Sequence, residues 1–299
     1  MSTAITQDAK APQGAKKPWL PRDRNLLGGG LLIAALLAAA YCRVLAKLVT
    51  DWWQIPDFSH GFLVPPFAAY VLWRKRARLF ATGIAPSWSG VALVFFGLLV
   101  LLLGVYGSEL FLSRISLIMV LAGLALGFGG GKLLAETRFA LLVLLLAIPI
   151  PAILYTQITF PLQILASKLA AALLQLFNVP VLREGNVIQL PAMSLEVAEA
   201  CSGIRSLMSL LTLAIFYGYF LERSMGRRVA LALASLPIAI AANAVRLLGT
   251  GLSVQYWDPD KAMGFFHEFS GWVMFLVSFA CLIAVDQAMG LFPLKRRQA

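Results

Sequence analysis

The chain has 299 residues, 60% of them hydrophobic and 13% charged, whereas roughly a quarter of an ordinary soluble domain is charged. A soluble fold of this length cannot hide so much apolar surface, so the composition points to a lipid bilayer as solvent. The formal net charge of +11 does not indicate nucleic acid, because the lysines and arginines sit in short clusters between apolar runs and not along one helical face.

Residues 1–25 form a polar arm carrying Lys16, Lys17, Arg22 and Arg24. The apolar run behind it, Leu26–Val49, is too long for a signal-peptide core and ends without a clear small-residue cleavage site, so it reads as a first span. Further runs able to cross are Phe58–Trp73, Trp88–Tyr106, Leu112–Phe128, Phe139–Tyr155, Ile204–Phe220, Val229–Val254 and Phe269–Phe292. The fold class expected is therefore an all-α polytopic membrane protein with about eight transmembrane helices. Basic residues collect in the arm, at Arg74–Arg78, at Lys132 and Arg138, at Arg223–Arg228 and at Lys295–Arg297. The positive-inside rule assigns all of these, and with them both termini, to the cytoplasm.

Parity then constrains the segment after the fifth span. Ile204 must start outside if Arg223–Arg228 lies inside, and the fifth span already exits near Pro151, so Leu162–Phe177 is not an ordinary crossing. Gln163, Ser167 and Lys168 interrupt its apolar run, which suits an interfacial helix or a re-entrant segment. Beyond it, Val187, Ile188, Leu190, Leu195 and Val197 alternate between the turn residues Gly185, Asn186 and Pro191, predicting a small β-hairpin on the outer side.

Polar and reactive groups at membrane depth are costly and mark function. Cys201 precedes the sixth span on the outer side, with Ser202 and Gly203 as helix-start residues. Arg246 lies 17 residues beyond Val229, roughly 25 Å along its helix and therefore at the outer leaflet. His267 opens the eighth span and His60 the second, both at that same level. A helix start and a nearby cation favour the thiolate of Cys201, and a histidine can take and return a proton. Arg246 keeps its charge and can stabilise the oxyanion formed by attack on a peptide carbonyl. Asn243, three residues earlier, shares the helical face of Arg246. No third group that orients the histidine is identifiable; Glu268 and Glu199 are candidates by proximity alone. Arg205 occupies the first turn of its span, where the helix dipole disfavours a cation, so binding of lipid phosphate or substrate explains it better than helix stabilisation. Each residue also has a plainer reading. Cys42 and Cys281 suit small-residue packing, Arg246 can snorkel to headgroups, and the histidines can serve as interfacial hydrogen-bonding groups. Three cysteines without paired or metal-ligand spacing give no disulfide framework and no zinc site, and no phosphate-binding loop is present, so neither metal nor cofactor is expected.

The runs EACSGIRSL at Glu199–Leu207, NAVRL at Asn243–Leu247 and HEFSGW at His267–Trp272 resemble, in order and spacing, three signature blocks of the exosortase/archaeosortase family. FSHGFLVP at Phe58–Pro65 resembles a further block common in exosortases. The resemblance implies a multi-pass inner-membrane cysteine transpeptidase with a periplasmic active site. Its substrates would be secreted proteins whose tails carry a Pro-Glu-Pro motif, a transmembrane helix and a basic cluster (PEP-CTERM signals). It places the nucleophile on Cys201, the arginine on Arg246 and the histidine on His267, with Asn243, Arg205, Ser202, His60, Glu199 and Glu268 as supporting or substrate-binding residues. Histidine at position 267, where archaeal relatives generally carry arginine, points to a bacterial exosortase; the ending PLKRRQA points to a form without a fused soluble domain. On this reading 1–25 is a cytoplasmic arm and 26–299 a single transmembrane catalytic domain, with 157–200 a periplasmic insert. The partners are tailed protein substrates and membrane lipids, not nucleic acid; the acceptor, an amine or water, is left open. Two other classes compete with the enzyme: a transporter or channel using Arg246 and Asn243, and a non-catalytic partner in polysaccharide export with an inert Cys201.

Overall fold

The computed structural model describes the backbone of residues 24–197, 203–221, 223–257 and 265–291, and the side chains of all of these except 24–27 and 265–268. Nine α-helices appear among the described residues. They are α1 (Arg24–Gln54), α2 (Val64–Arg74), α3 (Arg76–Ala81), α4 (Trp88–Tyr106), α5 (Leu110–Leu144), α6 (Ala152–Leu176), α7 (Ile204–Phe220), α8 (Met225–Tyr256) and α9 (Phe265–Leu291). Strands β1 (Leu182–Glu184), β2 (Val187–Gln189) and β3 (Ser194–Glu196) form one small antiparallel sheet in that order.

Among the described residues, six helical stretches are long and apolar enough to cross a membrane, and α7 is a shorter apolar helix. The contacts show how these become eight passes. The stretch Leu110–Ala147 holds two, because Gly130 (φ 63°, ψ −164°) breaks α5 in a region of backbone space that essentially only glycine enters. The first limb runs antiparallel to α4: a Cβ at Gly90 would fall 2.1 Å from Gly127 N, one at Gly97 would meet Val120, and one at Gly104 would meet Ser113. Glycines thus let the two backbones touch, the membrane way of packing helices where lipid is as apolar as leucine. The second limb returns along α2, with Lys75 Nζ 3.1 Å from Glu136 Oε2 at one end. At the other end Trp52 Nε1 donates to Ala147 O at 2.7 Å. A further pass is built from the 3-10 helix Pro56–Leu63 and α2. The expectation of one plain helix over Phe58–Trp73 is corrected here: Pro65 and Pro66 would fall in its interior, where each removes an i→i−4 hydrogen bond and clashes with the preceding turn, whereas in the first turn of α2, where they stand, the amide hydrogen is not needed.

The remaining long helix, α6, is one continuous element that starts ten residues before the expected Leu162, with Pro161 inside it. Though long enough to cross, it does not traverse the bundle. Its start meets the 3-10 helix, where the Phe58 and Tyr155 rings lie 5.9 Å apart. Near its end Leu174 fills the notch at Gly251 of α8, eight residues, or about 12 Å, past Asn243. Both ends of α6 therefore lie at the same end of the bundle, as the parity argument requires of an interfacial segment. Its face is inverted relative to a soluble helix: Thr159, Gln163 and Ser167 are buried while Ile153, Phe160 and Leu176 are exposed, which suits lipid on the outward side. The expected hairpin has gained a third strand, and the sheet packs on α6 and α8 through Ile188, Leu195, Val197, Ala170 and Leu247. Ser167 Oγ donates to Gly185 O at 3.0 Å and fixes the β1–β2 turn.

Charge inside the bundle is paired, as it must be in a low-dielectric medium. Arg114 donates to Asp51, which also meets Lys47 Nζ at 2.9 Å. At the basic end Asp286, fully buried, accepts from Arg223 Nη2 at 2.6 Å and sits 3.2 Å from Arg227 Nη2. Its hydrogen bond raises the Arg223 pKa above the ordinary guanidinium value. This pins the α7–α8 connection to α9. Cys42 and Cys281, expected in packed positions, lie exposed on outward helix faces.

Candidate active site

Three of the sequence blocks meet at the sheet end of the bundle through their described residues Gly203, Asn243, Arg246 and Gly271. Helix α7 starts behind Gly203, which adopts a left-handed conformation (φ 82°, ψ 0°). A side chain is disfavoured there for a second reason: a Cβ would fall 3.0 Å from both Cβ and Cγ of Asn243 on α8, tighter than ordinary van der Waals contact. Asn243 is buried, with 4% of its surface exposed. Its side chain therefore packs directly on the backbone that leads into α7, two residues from Cys201. Cys201 itself, with Glu199 and Ser202, lies outside the described residues.

Arg246 follows one turn later on the same face of α8. Helix α8 begins at Met225, four residues earlier than expected, so Arg246 stands about 31 Å along it. The guanidinium reaches α9, where a Cβ on Gly271 would meet Arg246 Nη1 at 3.5 Å. Gly271 is four residues, about one helical turn, from His267 on α9, so the two positions share a face. The His267 and Glu268 side chains lie outside the described residues. What is seen is a chain of contacts from α7 to α8 to α9 in which each of the three blocks touches the next.

A second polar cluster lies at the same end, and the sequence reading missed two of its members. Asp57, at the start of the 3-10 helix and 7% exposed, accepts a hydrogen bond from the Tyr155 hydroxyl of α6. Its other carboxylate oxygen accepts from Arg205 Nε at 2.9 Å. Arg205 thus bridges α7 to the 3-10 helix, and its presence in a helical first turn is compensated by a carboxylate and not by the dipole. The sequence reading does not single out Asp57, and Tyr155 enters it only as the last residue of the fifth span, Phe139–Tyr155. An acid ending an apolar run was the one available signal, and its partner is 148 residues away. His60, three residues after Asp57 and hence eclipsed with it in 3-10 geometry, is buried with Nε2 3.0 Å from Leu146 O. It ties the 3-10 helix to the short 3-10 turn Leu145–Ala147 that follows the second limb of α5.

Below Arg246 an apolar cavity of about 470 Å³ opens between α8 and α9, lined by Pro237, Ala241, Val245, Met274, Ser278 and Cys281 among others. Its upper rim, Val245, immediately precedes Arg246. Among the described residues, no three His, Cys, Asp or Glu side chains gather as a metal site.

In comparison with known families, the family described as transmembrane exosortase (Exosortase_EpsH) matches residues 52–284, a span that includes every residue discussed above from Asp57 to Cys281. No curated protein and no solved structure matches the chain.

Proposed function

Because the chain belongs to the transmembrane exosortase family, we propose that it is a cysteine transpeptidase that removes the membrane-anchored tail of exported proteins, with Cys201 as nucleophile. The observation that carries this reading is the contact relay Gly203–Asn243 and Arg246–Gly271. It joins the segment bearing Cys201, the arginine, and the helix face bearing His267 at one level of the bundle.

The chemistry follows from the residue types. His267 accepts the thiol proton, and the Cys201 thiolate attacks the carbonyl carbon of the scissile peptide bond. The oxygen becomes an oxyanion that Arg246 stabilises by charge and hydrogen bonding. Collapse of this intermediate breaks the C–N bond, the departing amine takes the proton from His267, and the tail leaves. An amine or water then attacks the thioester and regenerates the thiol. Asn243 holds the approach of α7 to α8 and so sets the distance between Cys201 and Arg246.

The substrates fit the membrane setting. A tail with a transmembrane helix and a terminal basic cluster inserts with its charge on the cytoplasmic side, which leaves a Pro-Glu-Pro segment at the outer interface. With the arginine-rich end of the bundle in the cytoplasm, the sheet end is periplasmic and meets that segment. The apolar cavity between α8 and α9, whose rim residue Val245 adjoins Arg246, supports this reading as a seat for the apolar tail helix. The direct test is co-expression with a tagged protein bearing such a tail, with tail removal read by gel mobility and mass. Cys201→Ala abolishes removal while the protein still accumulates in the membrane; unimpaired removal by Cys201→Ala rejects the nucleophile.

A further inference from the structure

Arg205 is presented in an unusual way for a cation that merely ties two elements together. Asp57 engages only Nε, and the two oxygens of that carboxylate are already used, one by Arg205 and one by the Tyr155 hydroxyl. The burial is lopsided: the Asp57 side chain is 10% exposed and that of Arg205 46%. A guanidinium has a second hydrogen-bonding edge, formed by its two Nη groups, that matches a carboxylate in a bidentate fork. Among the described residues Asp57 is the one polar partner of Arg205. The buried acid therefore sets the plane of the guanidinium through Nε and leaves the two Nη groups of this half-exposed side chain with no polar partner among the described residues, four residues along the chain from Cys201.

We propose that Arg205 is the receptor for a carboxylate of the substrate, aimed by Asp57 and Tyr155 as positioning residues. The inference rests on the reading of the chain as a tail-processing enzyme, and it names the feature of the tail that this enzyme reads. Lipid phosphate offers similar chemistry. The Nε-only contact with a buried carboxylate favours the substrate, because it fixes the fork in one plane, whereas a mobile headgroup needs only a point charge.

The experiment uses the full-length Cys201→Ala protein in phosphatidylcholine nanodiscs, titrated with two synthetic tail peptides that differ only in carrying Glu or Gln at the acidic position of the motif. The Glu peptide binds about tenfold more tightly, the effect of one hydrogen-bonded charged group. Arg205→Gln in the same background brings the two peptides within twofold, and Arg205→Lys recovers only part of the preference because it keeps the charge without the fork. A Glu-to-Gln ratio unchanged by Arg205→Gln overturns the proposal. Should that variant fail to accumulate, a third peptide with Lys at the same position decides the matter on the parent protein: binding as tight as that of the Glu peptide overturns it. In discs containing phosphatidylglycerol the Glu preference persists; its disappearance there would mean that a lipid headgroup occupies Arg205, and the proposal falls. None of these readouts needs cleavage, so a failure of the transpeptidase reading shows separately, in the tail-removal assay.

Discussion

Gly271 offers a graded probe of the active site, because the space above it is known. A Cβ at this position would lie 3.5 Å from Arg246 Nη1, an ordinary van der Waals contact. Gly271→Ala is therefore accommodated without movement, and since alanine favours a helix interior over glycine by about 1 kcal/mol, α9 is if anything stabilised. Valine is different. Each of its methyl carbons extends about 1.5 Å beyond Cβ, and valine in a helix is nearly confined to one rotamer, so the guanidinium must retreat by about 1 Å. A misplacement of that size in a catalytic constellation costs about a hundredfold in rate. Pulse-chase measurement of tail removal, normalised to the enzyme in the membrane, should give Gly271→Ala within twofold of the parent and Gly271→Val about a hundredfold slower. Arg246→Ala sets the floor. A Gly271→Val enzyme at the parent rate, with Arg246→Ala inactive, would falsify the placement of the functional guanidinium against α9.

Other consequences are equally concrete. Gly203→Ala imposes a left-handed strain of about 1–2 kcal/mol and a collision with Asn243; tail removal falls at least tenfold, and Asn243→Gly, which relieves the collision but not the strain, restores part of it. Gly130→Ala forces a side chain into backbone space costing about 1–3 kcal/mol and 3.1 Å from Ala85 O, so the reversal of α5 is impaired and membrane accumulation, measured by quantitative immunoblot, drops. Asp286→Asn leaves Arg223 and Arg227 without their buried counter-charge and destabilises by about 3–5 kcal/mol, seen as a lower melting temperature in detergent. If His267 and Cys201 share the proton work, the rate changes with pH in coupled macroscopic steps between about pH 5 and 9; a flat profile over that range contradicts the division of roles.

Much of the fold was legible because a bilayer imposes a simple length rule. Trp88–Tyr106 was bounded to the residue since an uninterrupted apolar run between polar flanks leaves the chain little choice. That the segment around Gln163 is not an ordinary crossing followed from parity, and its polar residues Gln163, Ser167 and Lys168 left an interfacial or a re-entrant helix as the readings. What could not be read was local geometry set by neighbours. Gly130 sits among other glycines at 129 and 131, and only the approach of Ala85 and the return along α2 distinguish the one that turns the chain. The beginning of α6 was misplaced because Ala152–Tyr155 look in the sequence like the end of the fifth span, which in the structure stops at Ala147; Pro161 is kept inside α6, where the freed carbonyl can be satisfied by its surroundings. The third strand was missed because three-residue strands carry too little alternation to count. In the candidate site, the expected residues on α7 and α8 came from motif and depth, whereas the Asp57–Tyr155–Arg205 cluster depends on contacts 98 and 148 residues apart that no local pattern announces.

The glycines of the motifs now have a physical role that the reactive residues alone do not suggest. In EACSGIRSL and in HEFSGW the glycine stands two residues after the cysteine and four after the histidine, and each is the point where the NAVRL helix touches that block, Gly203 under Asn243 and Gly271 under Arg246. A bilayer gives helices little hydrophobic reason to associate, so a site assembled from three of them needs close backbone contact near the reacting groups to hold its distances. Placing the smallest residue within about one turn of each reactive one achieves this. It also explains why the blocks carry glycine at these positions even though α9 would form more readily with alanine. On this argument Gly203 and Asn243 are coupled: their double-substitution cycle should show an interaction energy of about 1–3 kcal/mol in tail-removal rate, and additive effects would dissolve the link between these contacts and the chemistry.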